Sequence, residues 1–206
     1  DLMTLKSLLS LRDRLVKQRA GYKSSMKEQK RVFLIKDHKI LFEIQERMII
    51  SFSKQIQKIE KEMENIVKNN GQLKHLYKLI ISINGVGPQT ALFLITYTNA
   101  FTKFKDARKF ASFCGIAPFP NSSGTSIRGT TKVSHLANKK IKSLLDLCAK
   151  SAIQYNPEMK VYYHKRIEKG KNKMSTINII RNKIVSRVFA VVKRQTPYVN
   201  TMKFAA

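Results

Sequence analysis

The chain has 206 residues, with 40 Lys and Arg against 13 Asp and Glu, and a formal net charge of +27. Because 43% of its residues are hydrophobic, it can form a core, which excludes a disordered basic tail. Its apolar runs fall far short of the roughly 20 residues of a membrane span, so we expect no membrane partner. No signal peptide is recognisable, and the first residue is Asp1 rather than Met, so we expect a part of a longer protein.

The positive charge is concentrated in the second part of the chain. Residues 1–70 carry 16 basic and 9 acidic side chains, whereas residues 71–206 carry 24 basic and 4 acidic ones. A surface with this excess neutralises phosphates and releases their counterions, which favours nucleic acid over an acidic membrane face as the partner. The second part is therefore the predicted nucleic-acid surface.

Residues 1–70 show the periodicity of long helices. Apolar residues at steps of three and four predict one helix that ends at Asn69-Asn70-Gly71. This stripe consists of Leu41, Ile44, Met48, Phe52, Ile56, Ile59, Met63 and Ile66. A similar stripe from Leu5 to Met26 predicts an upstream helix that is interrupted near residues 36–38. The two helices are predicted to form a coiled-coil hairpin, and dimerisation of two chains through the same stripe fits the pattern equally well.

Residues 71–206 are predicted to form a compact helical domain, so the predicted fold class is mainly α. Candidate helices cover residues 73–82, 88–98, 106–113, 134–153, 157–169 and 174–194. The segment 114–133 is rich in Gly, Ser, Thr and Pro, and neither a helix nor a clear strand is predicted there. An irregular loop of this length is a typical place for functional residues.

Residues 79–91 carry the pattern of a helix-hairpin-helix. An apolar run is followed by Gly85-Val86-Gly87 and then by the start of a new helix at Pro88. The two glycines let the backbone approach a partner closely, and free N–H groups at the helix start, near Gln89 and Thr90, can face a phosphate. The alternative is a tight turn between helices that only packs inside the protein.

The candidate nucleophiles of the chain lack an evident activating partner. A serine hydroxyl is a poor nucleophile without a base or a metal ion, and no Ser/His/Asp arrangement is predicted around residues 121–129. Activation of a serine there would have to come from outside this segment. Tyr162-Tyr163 is a rival nucleophile. Cys114 and Cys148 have no metal-ligand spacing, so we expect two core residues and no metal site.

Six blocks of the second part stand in a recognisable order. They read SINGVGPQTA, FTKFKDARKFASFCGIAP, SSGTSIRG, KVSHLANKKIKSLL, NPEMKVYYHKRIEKGK and VFAVVKRQTPY. Together they resemble the C-terminal part of a family of bacterial insertion-sequence transposases, in which a resolvase-like DEDD domain precedes a coiled coil and a serine-bearing transposase domain. The resemblance covers about residues 73–198, and the helices of 1–70 stand where the coiled coil belongs.

The resemblance implies DNA transposition by a serine nucleophile. Its Ser-Gly pair matches Ser123-Gly124, so Ser123 would attack a DNA phosphodiester and form a covalent phosphoserine intermediate, with Ser122 as the adjacent alternative. Arg128 would neutralise charge on a phosphate. The DNA-facing side would also include Lys132, Asn138, Lys139 and Lys142.

The chain departs from the family pattern at two positions. Ala137 stands where the family usually has Gly, and Lys142 replaces an Arg. Because Lys lacks the forked donor geometry of Arg, the second change affects how a phosphate would be held.

The resemblance also implies partners and a missing domain. Four DEDD acids that hold Mg²⁺ would lie upstream of Asp1, so we expect no cofactor in this chain, and we expect it to bind nucleic acid without cleaving it. The implied partners are DNA, a structured bridge RNA that guides recombination, and further copies of the protein joined through the coiled coil. The implied location is the bacterial cytoplasm, at the nucleoid. The alternative function is a non-catalytic module for DNA or RNA binding and assembly.

Overall fold

The computed structural model describes residues 1–34, 36–123, 127–134 and 136–200. Of residues 121–123, 127, 128 and 130 it describes the backbone alone. Within these ranges the chain forms eight helices and two strands, so the predicted mainly α class is confirmed. The chain divides into two compact units, Asp1–Gly71 and Gln72–Ala206. Among the described helices, none combines the length and the hydropathy that crossing a membrane requires.

The first unit is an antiparallel pair of helices, α1 (Leu2–Val32) and α2 (Lys39–Asn69). Near the open end, Arg12 Nε donates a hydrogen bond of 2.7 Å to Glu60 Oε1. Closer to the turn, Gln45 Nε2 donates to Gln29 Oε1, also at 2.7 Å. The first contact joins an early residue of α1 to a late residue of α2 and the second does the reverse, as in an antiparallel hairpin within one chain.

The predicted apolar stripe of α2 is mostly buried in its second half and mostly exposed in its first half. Ile56 and Met63 are buried as expected, whereas Ile44 and Met48 are 54% and 36% exposed. The buried position between the helices is taken there by Gln45, whose hydrogen bond to α1 makes this part of the interface polar. Periodicity alone could not choose between two overlapping faces, because apolar residues occur on both.

The second unit contains six helices and a two-stranded sheet within the described residues. Its elements are α3 (Gly71–Ile81), α4 (Pro88–Tyr97), α5 (Ala107–Phe113), β1 (Pro118–Ser123), β2 (Ile127–Val133), α6 (Lys139–Tyr155), α7 (Pro157–Glu168) and α8 (Lys173–Arg194). Helices α6 and α8 pack on each other at its centre. Their buried side chains include Ile141, Leu145, Ile180, Ile184 and Val188, which form the middle of the core.

Side-chain caps fix where several of these helices begin. The Oδ1 atoms of Asn138, Asn156 and Asn172 each accept a hydrogen bond from the N–H three residues later, which satisfies a donor that the helix leaves free. The cap at Asn138 makes α6 begin at Lys139, later than the predicted start at residue 134.

The segment 114–133 contains an antiparallel hairpin, which corrects the prediction that no strand lies there. Strands β1 and β2 pair from Pro118↔Val133 to Ser123↔Ile127. The sequence gives little sign of them, because Pro, Asn, Ser and Gly are poor strand formers and no apolar alternation is present. Tertiary contacts fix the base of the hairpin: Asn178 and Asn182 of α8 each donate a hydrogen bond of 2.9 Å to the carbonyl oxygen of Ile116.

Candidate active-site hairpin and nucleic-acid interface

The predicted nucleophiles lie at the far end of the β hairpin. In the backbone register, Ser122 is paired with Arg128 and Ser123 with Ile127. The side chains of Ser122, Ser123 and Arg128 lie outside the described part of the structure, as does all of Gly124. The backbone therefore brings the two predicted serines and the predicted phosphate-binding arginine together at one end of the sheet.

The four other predicted DNA-facing residues separate into two groups. Lys132 and Lys142 line one cleft, which lies between the hairpin, α6 and α8. Lys139 is exposed in the first turn of α6. Asn138 caps that helix, and its Oδ1 accepts a hydrogen bond of 3.1 Å from the Ile141 N–H. Its carboxamide oxygen therefore has a structural role.

The turn of the predicted helix-hairpin-helix packs against α6. Gly85 has a φ of +96°, and a Cβ built on it would lie 2.8 Å from the Cys148 carbonyl oxygen. Around Gly87, the N-cap of α4, no such contact occurs within 4 Å of an added Cβ. Thr90 is buried, and its Oγ1 accepts a 3.4 Å hydrogen bond from Cys148 Sγ. Gly85 thus serves internal packing, and phosphate binding at Gly87 and Gln89 stays a prediction.

Three of the four acids in the second unit bind groups of their own chain. Asp106 Oδ1 accepts a hydrogen bond from the Lys109 N–H at 2.8 Å and caps α5. Arg187 Nη2 donates to both carboxylate oxygens of Glu158 at 2.6 Å. Asp146 binds Arg181 and Lys150. Among the described residues, no group of three or more His, Cys, Asp or Glu side chains could hold a metal ion.

The ion pair between Asp146 and Arg181 connects α6 to α8. Partial burial alone would raise the pKa of Asp146, but hydrogen bonds and charges from Lys150 and Arg181 lower it below its usual value. Arg181 is only 7% exposed, so the carboxylate compensates a buried guanidinium charge. Arg181 was not predicted as a site residue from the sequence, although the rarity of acids in this basic unit indicates that Asp146 has a cationic partner.

The two cysteines are core residues. Burial raises the pKa of the Cys114 thiol to about 12 and also raises the pKa of Cys148. Both residues are buried, which confirms the prediction that they belong to the core. Because the thiols stay protonated, they are poor nucleophiles and poor ligands.

The rival nucleophile Tyr162 is half-buried beneath cations. Lys183 Nζ lies 4.6 Å from the centre of its ring, and the Arg166 guanidinium lies 5.9 Å from it. Such cation–π contacts position the ring for packing between α7 and α8.

Comparisons with known proteins match this same unit. Residues 77–164 match the family described as "Transposase IS116/IS110/IS902 family". The matched segment runs from α3 to α7 and contains the whole β hairpin, including Ser122 and Ser123.

Curated relatives bear related names. The chain is 30% identical over 127 residues to the "Insertion element IS110 uncharacterized 43.6 kDa protein" of Streptomyces coelicolor, covering 62% of the chain and 31% of that protein. It is 26% and 25% identical over 149 residues to the "Pilin gene-inverting protein" of Moraxella bovis and of Moraxella lacunata, covering 71% of the chain and 46% of each. The chain therefore spans less than half the length of these relatives.

Proposed function

We propose that this chain is part of a DNA transposase or recombinase that uses a serine nucleophile. The observation that carries the proposal is that the transposase match over residues 77–164 includes a β hairpin with Ser122 and Ser123 at its far end. The names of the relatives, an insertion-element protein and two gene-inverting proteins, support rearrangement of DNA as the reaction.

The proposed step is attack of the Ser123 Oγ on a DNA phosphorus atom. The bond from Oγ to phosphorus forms as the hydroxyl gives its proton to a base of the further domain proposed below, the bond from phosphorus to one sugar oxygen breaks, and that oxygen takes up a proton as it leaves. Arg128, which is paired with Ser122 in the backbone register of the hairpin, would offset the negative charge that develops on the phosphate. Ser122 is the alternative nucleophile, since it is adjacent in β1.

The activating groups would come from outside this chain. The described residues do not fit a metal site, because three of the four acids in the second unit are engaged in capping or ion pairs. The Mg²⁺ and the four acids that the resemblance implies would belong to a further domain. That the chain spans less than half of its relatives is consistent with such a domain.

Nucleic acids are the proposed partners of the second unit. Its 24 basic and 4 acidic side chains favour DNA, and a guide RNA is proposed on the resemblance alone. The proposed place of action is the bacterial cytoplasm, on chromosomal DNA.

Self-association is proposed for the first unit. Near its turn, the apolar side chains of Ile40, Ile44 and Met48 are exposed at successive turns of α2. Such a stripe on an otherwise charged hairpin is consistent with contact to a second copy of the chain.

The decisive experiment replaces each serine in the full-length protein that contains this chain. We expect Ser123→Ala to abolish strand exchange and to leave DNA binding within about twofold of the unaltered protein, because only the attacking oxygen is lost. Ser122→Ala serves as the matched control and should keep activity. Strand exchange by the double variant Ser122→Ala/Ser123→Ala would disprove the serine assignment.

A second candidate is a non-catalytic module for nucleic-acid binding and assembly. It is favoured by the engagement of three of the four acids of the second unit in a helix cap and in ion pairs within the fold. The same variants separate the two candidates, because a purely binding role predicts no effect of either serine on strand exchange. Cleavage of DNA by the 206-residue chain alone with Mg²⁺ would contradict the proposed need for a further domain.

A further inference from the structure

A cleft of about 970 Å³ opens beside the base of the β hairpin. One wall is the end of β2 around Lys132, and the opposite wall is the first half of α8, from Met174 to Asn182. Lys142 of α6 completes the lining. None of the described residues that line this cleft is acidic, whereas three of them are basic.

The guanidinium group of Arg181 lines the cleft and is held in place by an ion pair. Arg181 is 93% buried and is bound by Asp146, which itself is shared with Lys150. One carboxylate therefore faces two cations, and the group keeps a net positive charge. Among the described residues, the buried Nε–H of Arg181 has no hydrogen-bond partner, so this guanidinium is not fully satisfied within the fold.

The walls of the cleft are fixed before any ligand enters. Asn178 and Asn182 both bind the Ile116 carbonyl oxygen, just before β1, and so attach the hairpin to α8. A preformed site of this kind binds with less loss of conformational freedom than a loop that must be ordered.

We propose that this cleft binds the phosphodiester backbone of a DNA strand. Lys132 and Lys142 contact phosphate, and the charge of the buried Arg181 adds to the attraction. The inference rests on the proposed function, since it places a second contact on the same hairpin. Lys132 is paired with Phe119, which lies four residues before Ser123 in β1. The phosphate contact at Lys132 and the attacking serine would therefore lie roughly 14 Å apart along the β hairpin. DNA contact by the two lysines is implied by the family resemblance, and the structure adds the face of α8.

Site-specific crosslinking tests whether DNA enters the cleft. A photoreactive residue at Met174, which lines the cleft and is 58% exposed, should crosslink to a duplex oligonucleotide of arbitrary sequence. The matched control is the same residue at Val161 of α7, which is 56% exposed and lies away from the cleft lining. We expect crosslinking at 174 to exceed that at 161 at least tenfold. Equal yields, or crosslinking at 174 to a structured RNA and not to DNA, would overturn the proposal.

A salt titration of two double variants gives an independent readout. Each phosphate contact contributes about 0.9 to the steepness with which log affinity falls against log salt. Lys132→Gln/Lys142→Gln should therefore reduce the magnitude of this slope by about two. The control Lys160→Gln/Lys165→Gln removes the same charge from exposed positions of α7 and should lower it by less than one.

The two failures are distinguishable in this experiment. If the unaltered chain binds duplex DNA and both double variants change the slope equally, the cleft assignment is wrong and the proposed function stands. If the unaltered chain shows no salt-dependent DNA binding, the proposed function itself fails.

Discussion

Asp146 forms the ion pair between the two central helices of the second unit. Its carboxylate joins α6 to α8 by binding Arg181, whose side chain is nearly withdrawn from water. A buried cation without its partner is costly, because neither water nor protein then stabilises the charge. The contribution of Lys150 is smaller, since its side chain is 55% exposed.

We expect Asp146→Asn to lower the free energy of unfolding by about 3 kcal/mol at neutral pH, because it leaves the Arg181 charge uncompensated. Lys150→Gln, which removes the exposed partner of the same carboxylate, should cost less than about 1 kcal/mol. Urea denaturation followed by circular dichroism measures both values. Equal losses in the two variants would contradict the importance assigned to the buried pair.

The effect of Asp146 should also depend on pH in a defined direction. Because the pKa of this carboxyl is lowered in the folded state, its stabilisation is full above the ordinary value of 3.8 and is lost as pH falls through the lower folded value. The stability difference between the unaltered protein and Asp146→Asn should therefore shrink in this acid range. A difference that stays constant with decreasing pH would show that the carboxylate charge is not the cause.

Gly85 and Gly87 differ in what their neighbours allow. At Gly85 the positive φ and the nearby backbone of α6 both oppose a side chain, whereas Gly87 has an ordinary φ of −89° and space around it. We expect Gly85→Ala to destabilise the protein by at least about 2 kcal/mol and Gly87→Ala by less than about 1 kcal/mol. Thermal unfolding measures both, and similar losses would contradict the packing described for Gly85.

The same pair of variants tests the predicted phosphate contact of this turn. If the backbone at Gly87 approaches DNA closely, a methyl group there should weaken DNA binding severalfold while stability is kept. Unchanged binding by a stable Gly87→Ala variant would leave the turn with a packing role alone.

At the scale of elements, the interface between the two helices of the first unit is apolar in one half and partly polar in the other. Its second half buries Ile56, Ile59 and Met63, while near the turn Gln45 pairs with Gln29 and apolar side chains face outward. The polar pair fixes the register of the two helices at some cost in apolar burial. The exposed apolar side chains are the ones proposed above to contact a second copy of the chain.

We expect Ile44→Glu to weaken self-association, because it places a charge in the proposed contact between copies. Ile50→Glu is the matched control, since Ile50 is also 54% exposed but lies on a different side of α2. Sedimentation equilibrium should give at least a tenfold higher dissociation constant for the first variant, and little change for the second. Dissociation by both variants alike, or by neither, would argue against this face.

At the scale of the whole molecule, charge is distributed unequally between the two units. The first unit balances much of its basic charge with Glu and Asp, as in the ion pairs Arg12–Glu60 and Lys68–Glu64. The second unit has few acids, and most of these are bound within the fold. Its remaining basic side chains therefore give a surface field that attracts polyanions.

We expect the affinity of the chain for duplex DNA to fall at least about a thousandfold between 50 and 200 mM salt, as for a protein that contacts six or more phosphates. Fluorescence anisotropy over a salt series measures the slope. A slope near zero would exclude phosphate neutralisation as the source of affinity. It would contradict the prediction that the basic side chains of the second unit bind nucleic acid.

Much of the fold was accessible from the sequence because helices are local. The N-terminal ends of α7 and α8 follow from Pro157 and from the asparagine caps. Each predicted helix of the second unit is present. The β hairpin was missed, because its strands lack apolar alternation and are fixed by Asn178 and Asn182, about 60 residues away along the chain. Of the candidate site, the sequence predicted Lys132 and Lys142, but not the α8 residues beside them.

The sequence by itself determined the helical class, the basic character of the second unit and the similarity to transposases, because these depend on periodicity, composition and the order of motifs. Only the tertiary structure decided that Gly85 packs against α6, that Gln45 rather than Ile44 enters the helix interface, and that Arg181 lies beneath a cleft formed by distant elements. These features arise from contacts between residues far apart in the chain. Such contacts depend on which face each helix buries, and several faces of this sequence are equally plausible until the core is packed.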